Sequence, residues 1–310
     1  MTNPAIEVEN LQKTYRTFRG ESVPALQGVS LRVEAGTIFG LIGQNGAGKT
    51  TLVKILLGLG RATGGKARLL GGSPHDPAAR RRVGYLPEQM RLPDYIGAED
   101  FLRYMGRLNG VDSATLQRRI PELLDLVGLR GVRKPVGSYS KGMQQRLGLA
   151  QALVNDPEVL FLDEPTDGLD PLGRKDVRDL LVRLRAGGKT IFVNSHVLSE
   201  IELVCEQIVI LNEGKVACAA TPEEFTRGTG EYLVRVAKAD DAVRATAAGA
   251  IGETRLDWQE NAVRFTPRDL RELNSLLDGL RRAPVEIESV EPVRLSLEEF
   301  FLQVVGGQEA

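Results

Sequence analysis

The chain has 310 residues, long enough for one large domain and a smaller one. Its 40 Lys and Arg residues against 41 Asp and Glu leave no global field to favour nucleic acid or an anionic membrane surface. The start, MTNPAIEVEN, carries no basic and apolar leader, and nowhere does the chain reach the roughly 18 consecutive apolar residues of a membrane span. Cys205 and Cys218 lie in apolar surroundings without metal-ligand spacing, so the expectation is a reduced, cytosolic protein that meets a membrane only through a partner.

Apolar alternation predicts strands over 6–8 and 29–33, then a buried strand over 38–42. Residues 43–50 follow directly as GQNGAGKT, which fits G-x-x-x-x-G-K-[ST], and a helix-forming stretch follows over 51–57. Strand, glycine-rich loop and helix in that order are the context a phosphate loop requires. Gly43, Gly46 and Gly48 allow a tight turn that aims successive N–H groups at phosphate oxygens, with Gln44, Asn45 and Ala47 between them. The helix N-terminus adds orphan donors and the positive end of its dipole. Lys49 is placed to reach the β- and γ-phosphates, and the hydroxyl of Thr50, followed by Thr51, to meet Mg²⁺.

Arg80, Arg81 and Arg82 form a basic cluster read as a solvated face, with a partner helix or lipid phosphate as the alternative. Between about residues 87 and 157 strand signal gives way to helical periodicity over 98–108, 116–127 and 141–153, which predicts a helical subdomain inserted in an α/β core. The apolar strand 159–162 then runs into Asp163 and Glu164. An Asp at the carboxyl end of a buried strand sets a hard oxygen ligand beside the phosphate loop, and Glu164, pointing differently, is available as a general base. Strands over 190–194 and 208–211, the latter closed by the turn Asn212-Glu213-Gly214-Lys215, complete a largely parallel sheet.

Residues 226–230 read as a linker. Beyond them come strand 232–236, helix 239–248, strands 254–258 and 262–266, helix 267–282, strand 285–290 and helix 297–304. This β-α-β-β-α-β order predicts a ferredoxin-like α+β appendage. Thr266 is the expected N-cap of the helix from Pro267, with Leu270, Leu273, Leu277 and Leu280 on one face, and Ser296-Leu-Glu-Glu299 is a capping box. The expected fold is thus α/β: a P-loop NTPase cassette with a mostly parallel sheet and an inserted helical subdomain over 1–228, and an accessory domain over 229–310 that carries no assigned chemistry.

Further segments point to a family. Tyr139-Ser-Lys-Gly-Met-Gln-Gln-Arg146 resembles LSGGQQQR, Glu164-Pro-Thr-Asp-Gly-Leu-Asp170 resembles the loop after the second Walker motif, and Asn194-Ser-His196 resembles the switch histidine. Over residues 6 to about 225 the chain resembles the ATP-binding subunit of an ATP-binding cassette (ABC) transporter. The resemblance implies ATP and Mg²⁺ as ligands, Tyr15 on the adenine with Phe18 as fallback, Glu164 as base, and His196 with Lys49 on the γ-phosphate. It implies that Ser140 and Gly142, opening a helix, contact the nucleotide of a second subunit in a head-to-tail dimer. Metal ligands would be Thr50, Asp163 and, at the lid position in Tyr85-Leu-Pro-Glu-Gln89, Glu88, with Gln89 as the alternative. Tyr139, Lys141 and Met143 depart from the usual Leu, Gly and Gln.

The YLPE and YSKGM variants and the SLEEFF ending resemble the subfamily serving type-2 exporters of drugs, sodium or lipids, and the ATPase of nitrous-oxide-reductase copper-site maturation. The implied partners are a separately encoded transmembrane permease and a second nucleotide-binding subunit, most simply another copy, on the inner face of the cell membrane, with no nucleic acid. The rival is a soluble cassette ATPase acting on ribosomes or DNA; such proteins usually carry two cassettes, a long coiled coil or zinc motifs, all absent from this sequence.

Overall fold

A computed structural model describes residues 4–16, 20–90, 92–225, 228–252, 255–294 and 296–306. They form two compact units, Met1–Pro222 with Phe301–Ala310, and Glu223–Phe300. In chain order come β1 (Ile6–Arg16), β2 (Ser22–Val33), β3 (Ile38–Ile42), α1 (Lys49–Leu56), β4 (Gly64–Leu69), α2 (Pro77–Arg80) and β5 (Val83–Leu86). Next are α3 (Ala98–Leu108), α4 (Ser113–Leu126), α5 (Lys141–Ala152), β6 (Val159–Asp163), α6 (Pro171–Ala186), β7 (Thr190–Asn194), α7 (Leu198–Val204), β8 (Gln207–Asn212) and β9 (Lys215–Ala220). The chain ends with α8 (Pro222–Phe225), β10 (Gly228–Val236), α9 (Asp241–Ile251), β11 (Asp257–Gln259), β12 (Ala262–Phe265), α10 (Leu270–Arg282), β13 (Ile287–Arg294) and α11 (Leu297–Gly306).

The central sheet of the first unit has the order β5-β6-β7-β3-β8-β9, parallel throughout except for β9. Every residue of β3, β6 and β7 is buried, as expected where both faces of a parallel sheet are covered. Phe192 joins the three strands, its ring 5.0 Å from that of Phe39 and 5.2 Å from that of Phe161. The register sets Asp163 of β6 and Leu41 of β3 both beside Asn194 of β7, so the carboxyl ends of three strands align. The crevice outside the carboxyl ends of the strands, where open α/β sheets bind their ligands, lies at that edge. A second, antiparallel sheet, β2-β1-β4, contains two long strands that include the expected segments, 6–8 at the start of β1 and 29–33 at the end of β2.

Helices α3, α4 and α5 fill the expected helical stretch, between β5 and β6. One ion cluster ties that stretch to the sheet: Asp156, after α5, meets Arg119 of α4 at 2.9 Å and Lys189, just before β7, at 2.7 Å. The hydrogen bonds from Arg119 and then Lys189 hold the Asp156 carboxyl down at about 2. Of the basic cluster, Arg82 is engaged by Glu158 in two bonds of 2.5 and 2.6 Å, while Arg80 and Arg81 are exposed.

The second unit has the sheet order β11-β12-β10-β13 with every pairing antiparallel, the ferredoxin-like arrangement. Its core joins Val234, Val236, Val263 and Phe265 of the sheet to Val243 and Ala247 of α9 and Leu273, Leu276 and Leu280 of α10. A Cβ at Gly279 would lie 2.8 Å from that of Ala250, so glycine permits the close approach of α9 and α10.

Several expectations need correction. Helix α10 is capped by Asp269, whose carboxylate accepts from Glu272 N at 2.9 Å, so Thr266 and Pro267 precede the helix, and Leu270 is exposed while Leu276 is fully buried. An Asp one turn further on displaces the Thr-Pro start because its carboxylate is the stronger cap. Of the expected linker, Thr226 and Arg227 lie outside the described residues, whereas Gly228–Val236 is strand. Thr254, expected to open a strand, also lies outside them. Cys205 is buried as expected, but Cys218 on β9 is only half-buried. The Ser296 capping box is present, with Ser296 N donating to Glu299 at 2.8 Å and Glu299 N to Ser296 Oγ at 3.2 Å.

Candidate active site

The phosphate loop leaves β3 through Gly43, where a Cβ would lie 2.3 Å from the Leu211 carbonyl oxygen. It enters α1 through Gly48, whose φ of 102° is left-handed and whose Cβ would lie 2.5 Å from the Ala25 carbonyl oxygen. Only glycine suits both places. Helix α1 has no side-chain cap, so its first N–H groups remain available to a ligand. Lys49 folds back over the loop, its Nζ donating to the carbonyls of Gly43 at 2.6 Å and Gln44 at 3.1 Å.

A cavity of about 450 Å³ opens in front of the loop. Gly43, Gln44, Asn45, Lys49, Thr50, Glu88, Asp163, Glu164, Asn194 and His196 line it, with Ile42, Leu198 and Phe301 as its apolar members. The structure thus brings together the loop, the carboxylates Asp163 and Glu164 at the end of β6 and the histidine after β7. Gly46, Ala47, Gly48 and Thr51 complete the loop and first turn without lining the cavity. Tyr15, near the end of β1, is 45% exposed, lies under the Lys13 ammonium and is no part of the lining; Phe18 lies outside the described residues. Glu88 faces the cavity, whereas Gln89 lines a different one beside Tyr85, Met90 and Phe101.

Three carboxylates face one lysine here. Burial lowers the Lys49 pKa, against the pull of Glu164, Asp163 and Glu88. Burial likewise raises that of Asp163, with Glu88 and Glu164 adding to the rise while a 2.6 Å hydrogen bond from Asn194 Nδ2 and the charge of Lys49 oppose it. The other amide atom, Asn194 Oδ1, is buried without a partner. An acidic, partly orphaned cluster of this kind suits a hard cation.

Glu164 sits with φ 51°, a left-handed conformation uncommon outside glycine. Its Oε1 accepts from His196 N at 2.9 Å and lies 2.8 Å from His196 Nδ1, and its Oε2 accepts from Ser195 Oγ at 3.0 Å. Asn194, Ser195 and the buried Gln145, whose Nε2 donates to the Glu164 carbonyl at 2.9 Å, were not assigned roles from sequence. The available signal was their place inside the segments that resemble family motifs, Gln145 within 139–146 and Asn194 and Ser195 directly before His196. Ser140 and Gly142 lie apart from the cavity lining, at the N-terminus of α5, where Ser140 Oγ accepts from Met143 N at 3.3 Å. Of the unusual residues, Tyr139 is buried, and Lys141 pairs with Asp167 at 2.8 Å.

Residues 26–167 match the ABC transporter family. The whole chain is 41% identical over 314 residues to an uncharacterized ABC transporter ATP-binding protein of Nostoc sp., covering 99% of this chain and 92% of that one. The chain belongs to the ABC transporter ATP-binding proteins. A Nod factor export ATP-binding protein of Ralstonia nicotianae is 34% identical over 315 residues, 98% of this chain and 95% of its own. Among solved structures, a dimeric ATP-binding cassette in a post-hydrolysis state with ADP and Pi is 25% identical with a TM-score of 0.64, covering 70% of this chain and 98% of that one. As an ABC ATPase this chain binds and hydrolyses ATP, and among the described residues no helix is long and apolar enough to cross a membrane.

Proposed function

We propose that this ABC ATPase comprises a nucleotide-binding domain over 1–228, with its helical subdomain at about 87–157, and an accessory domain over 229–310. Two copies close around two ATP·Mg and drive a separately encoded permease in export, from the cytoplasmic face of the membrane. The observation that carries the reading is the convergence of Lys49, Asp163, Glu164 and His196 on one cavity while Ser140 and Gly142 open α5 outside it. One chain then supplies half of each site. The Nod factor export relative supports the direction of transport.

In this reading residues 43–51 hold the phosphates through main-chain amides, Lys49 neutralises charge developing on the γ-phosphate, and Tyr15 offers its exposed ring to the base. Glu164 takes the proton of the attacking water, and His196, joined to it, orients that water and the γ-phosphate. Thr50, Asp163 and Glu88 would hold Mg²⁺, which fits the carboxylate excess and the orphaned Asn194 oxygen; when bound it would neutralise phosphate charge.

The helical subdomain is the permease-facing part. Tyr95, Tyr104 and Leu108, its large exposed apolar side chains among the described residues, support that contact. The test is purification of tagged Glu164→Gln protein from native membranes with ATP·Mg, followed by identification of bound chains. Recovery of a polytopic membrane protein is expected; recovery of ribosomal or DNA-repair components alone would remove the transport assignment and leave the ATPase.

A further inference from the structure

Glu164 is held at each of its polar atoms. Its N–H donates to the Asn194 carbonyl at 2.8 Å, its carboxylate is bound by Ser195 and His196, and its carbonyl accepts from Gln145 Nε2 at 2.9 Å as well as from Asp167 N, within its own loop, at 3.1 Å. The first three contacts come from the end of β7 and the residues directly after it. Gln145 alone comes from α5, where the other buried side chains are apolar or small: Leu147, Gly148, Leu149, Ala150 and Ala152. A polar side chain placed in that packing, with one donor directed at one carbonyl, fixes a separation between two elements.

The elements it joins are notable for what flanks them. Gln145 lies about 7.5 Å along the helix axis from Ser140, at the helical rise per residue. The first turn of α5 also packs along the loop that follows Glu164. Lys141 pairs with Asp167, a Cβ on Gly168 would lie 2.4 Å from Lys141 Cδ, and one on Gly142 would lie 3.1 Å from Leu169 Cδ2. Helix α5 and residues 164–169 are therefore seated on one another, with Gln145 at the end nearest the carboxylate that acts in the cavity.

We propose that Gln145 is a positioning residue for ATP hydrolysis: its amide sets the main chain of Glu164 from helix α5. Seating of a phosphate at the α5 N-terminus thereby adjusts the base that works on the chain's own nucleotide. The inference rests on the reading of Glu164 as base and of Ser140 as a contact to the second subunit's nucleotide. Gln145 does not line the cavity. Its effect runs through the left-handed Glu164 backbone, where a small rotation moves the carboxylate.

Gln145→Leu, which keeps the bulk, and Gln145→Glu, which keeps the shape but replaces the donor, are the variants. In the permease-bound complex both are expected to lower kcat for ATP about 10- to 100-fold, the scale of a misplaced catalytic group. ATP affinity should stay within about twofold, because Gln145 does not line the cavity. Single-turnover rates supply a second readout: in a Glu164→Gln background, Gln145→Leu should add little further loss, since the group it positions is already disabled. An unchanged kcat in both variants overturns the proposal, as does a loss that follows ATP affinity or one that adds fully to that of Glu164→Gln. A wild-type complex that binds ATP but never hydrolyses it would overturn the reading of the cavity itself, and this inference with it.

Discussion

Replacing Glu164 with Gln is expected to leave ATP bound and to slow its turnover by about 10²–10⁴-fold, the usual worth of a general base. The substitution is close to isosteric. Gln retains an oxygen to accept from His196 N and occupies the same volume beside Ser195, so the left-handed backbone at 164 and its bond from Gln145 need not change. What is lost is the basicity of a carboxylate 2.8 Å from the His196 ring. Rapid-quench measurement of phosphate release at saturating ATP, with affinity measured separately, distinguishes the two quantities. Wild-type turnover in the variant would take the base assignment away from Glu164, and lost affinity with unaltered turnover would make it a binding residue.

Lys49→Ala is expected to act on binding. Among the described residues that line the cavity, Lys49 is the one lysine facing Glu88, Asp163 and Glu164, and its removal leaves their charge unopposed by an ammonium before a polyphosphate arrives. A hydrogen bond to a charged group contributes about 1.5–3 kcal/mol, so ATP affinity should fall roughly 10- to 100-fold, and more at low salt. The Gly43 and Gln44 carbonyls that Lys49 engages lose their partner as well, which loosens the loop in the same direction. Equilibrium titration with a fluorescent ATP analogue reads the change. Unaltered affinity would count against the phosphate-loop assignment.

The parts of this molecule that sequence could reveal share one property: their signal is contiguous. Strand β7 and helix α3 match expectation to the residue because each is a short apolar or periodic run between clear boundaries. The phosphate loop and the Asp163-Glu164 pair were legible because the chemistry demands fixed residues at fixed spacing. Strand β4 was missed because its sequence, GGKARL, buries one residue fully and shows no alternation. Strand β5, directly after the basic cluster 80–82, has only four residues, too few to set its bounds from alternation. Helix α6 carries a start signal, Asp170 as cap before Pro171, but that signal lies inside the motif 164–170, whose residues already have another explanation. Within the site, Gln145, Ser195 and Asn194 escaped because their partners lie 19 to 31 residues away, across the gap between α5, β6 and β7. Sequence also left the choice between Glu88 and Gln89 open; only the turn after β5 decides which of two adjacent side chains meets the cavity.

In the proposed dimer each site is completed by the α5 N-terminus of a second chain. Sedimentation of Glu164→Gln protein with and without ATP·Mg, alongside the same protein carrying Ser140→Glu, tests it directly. A mass that doubles only with nucleotide, and stays single when a carboxylate stands at the α5 cap, is the predicted result. A chain shown to be saturated with ATP that remains single in both proteins would contradict it.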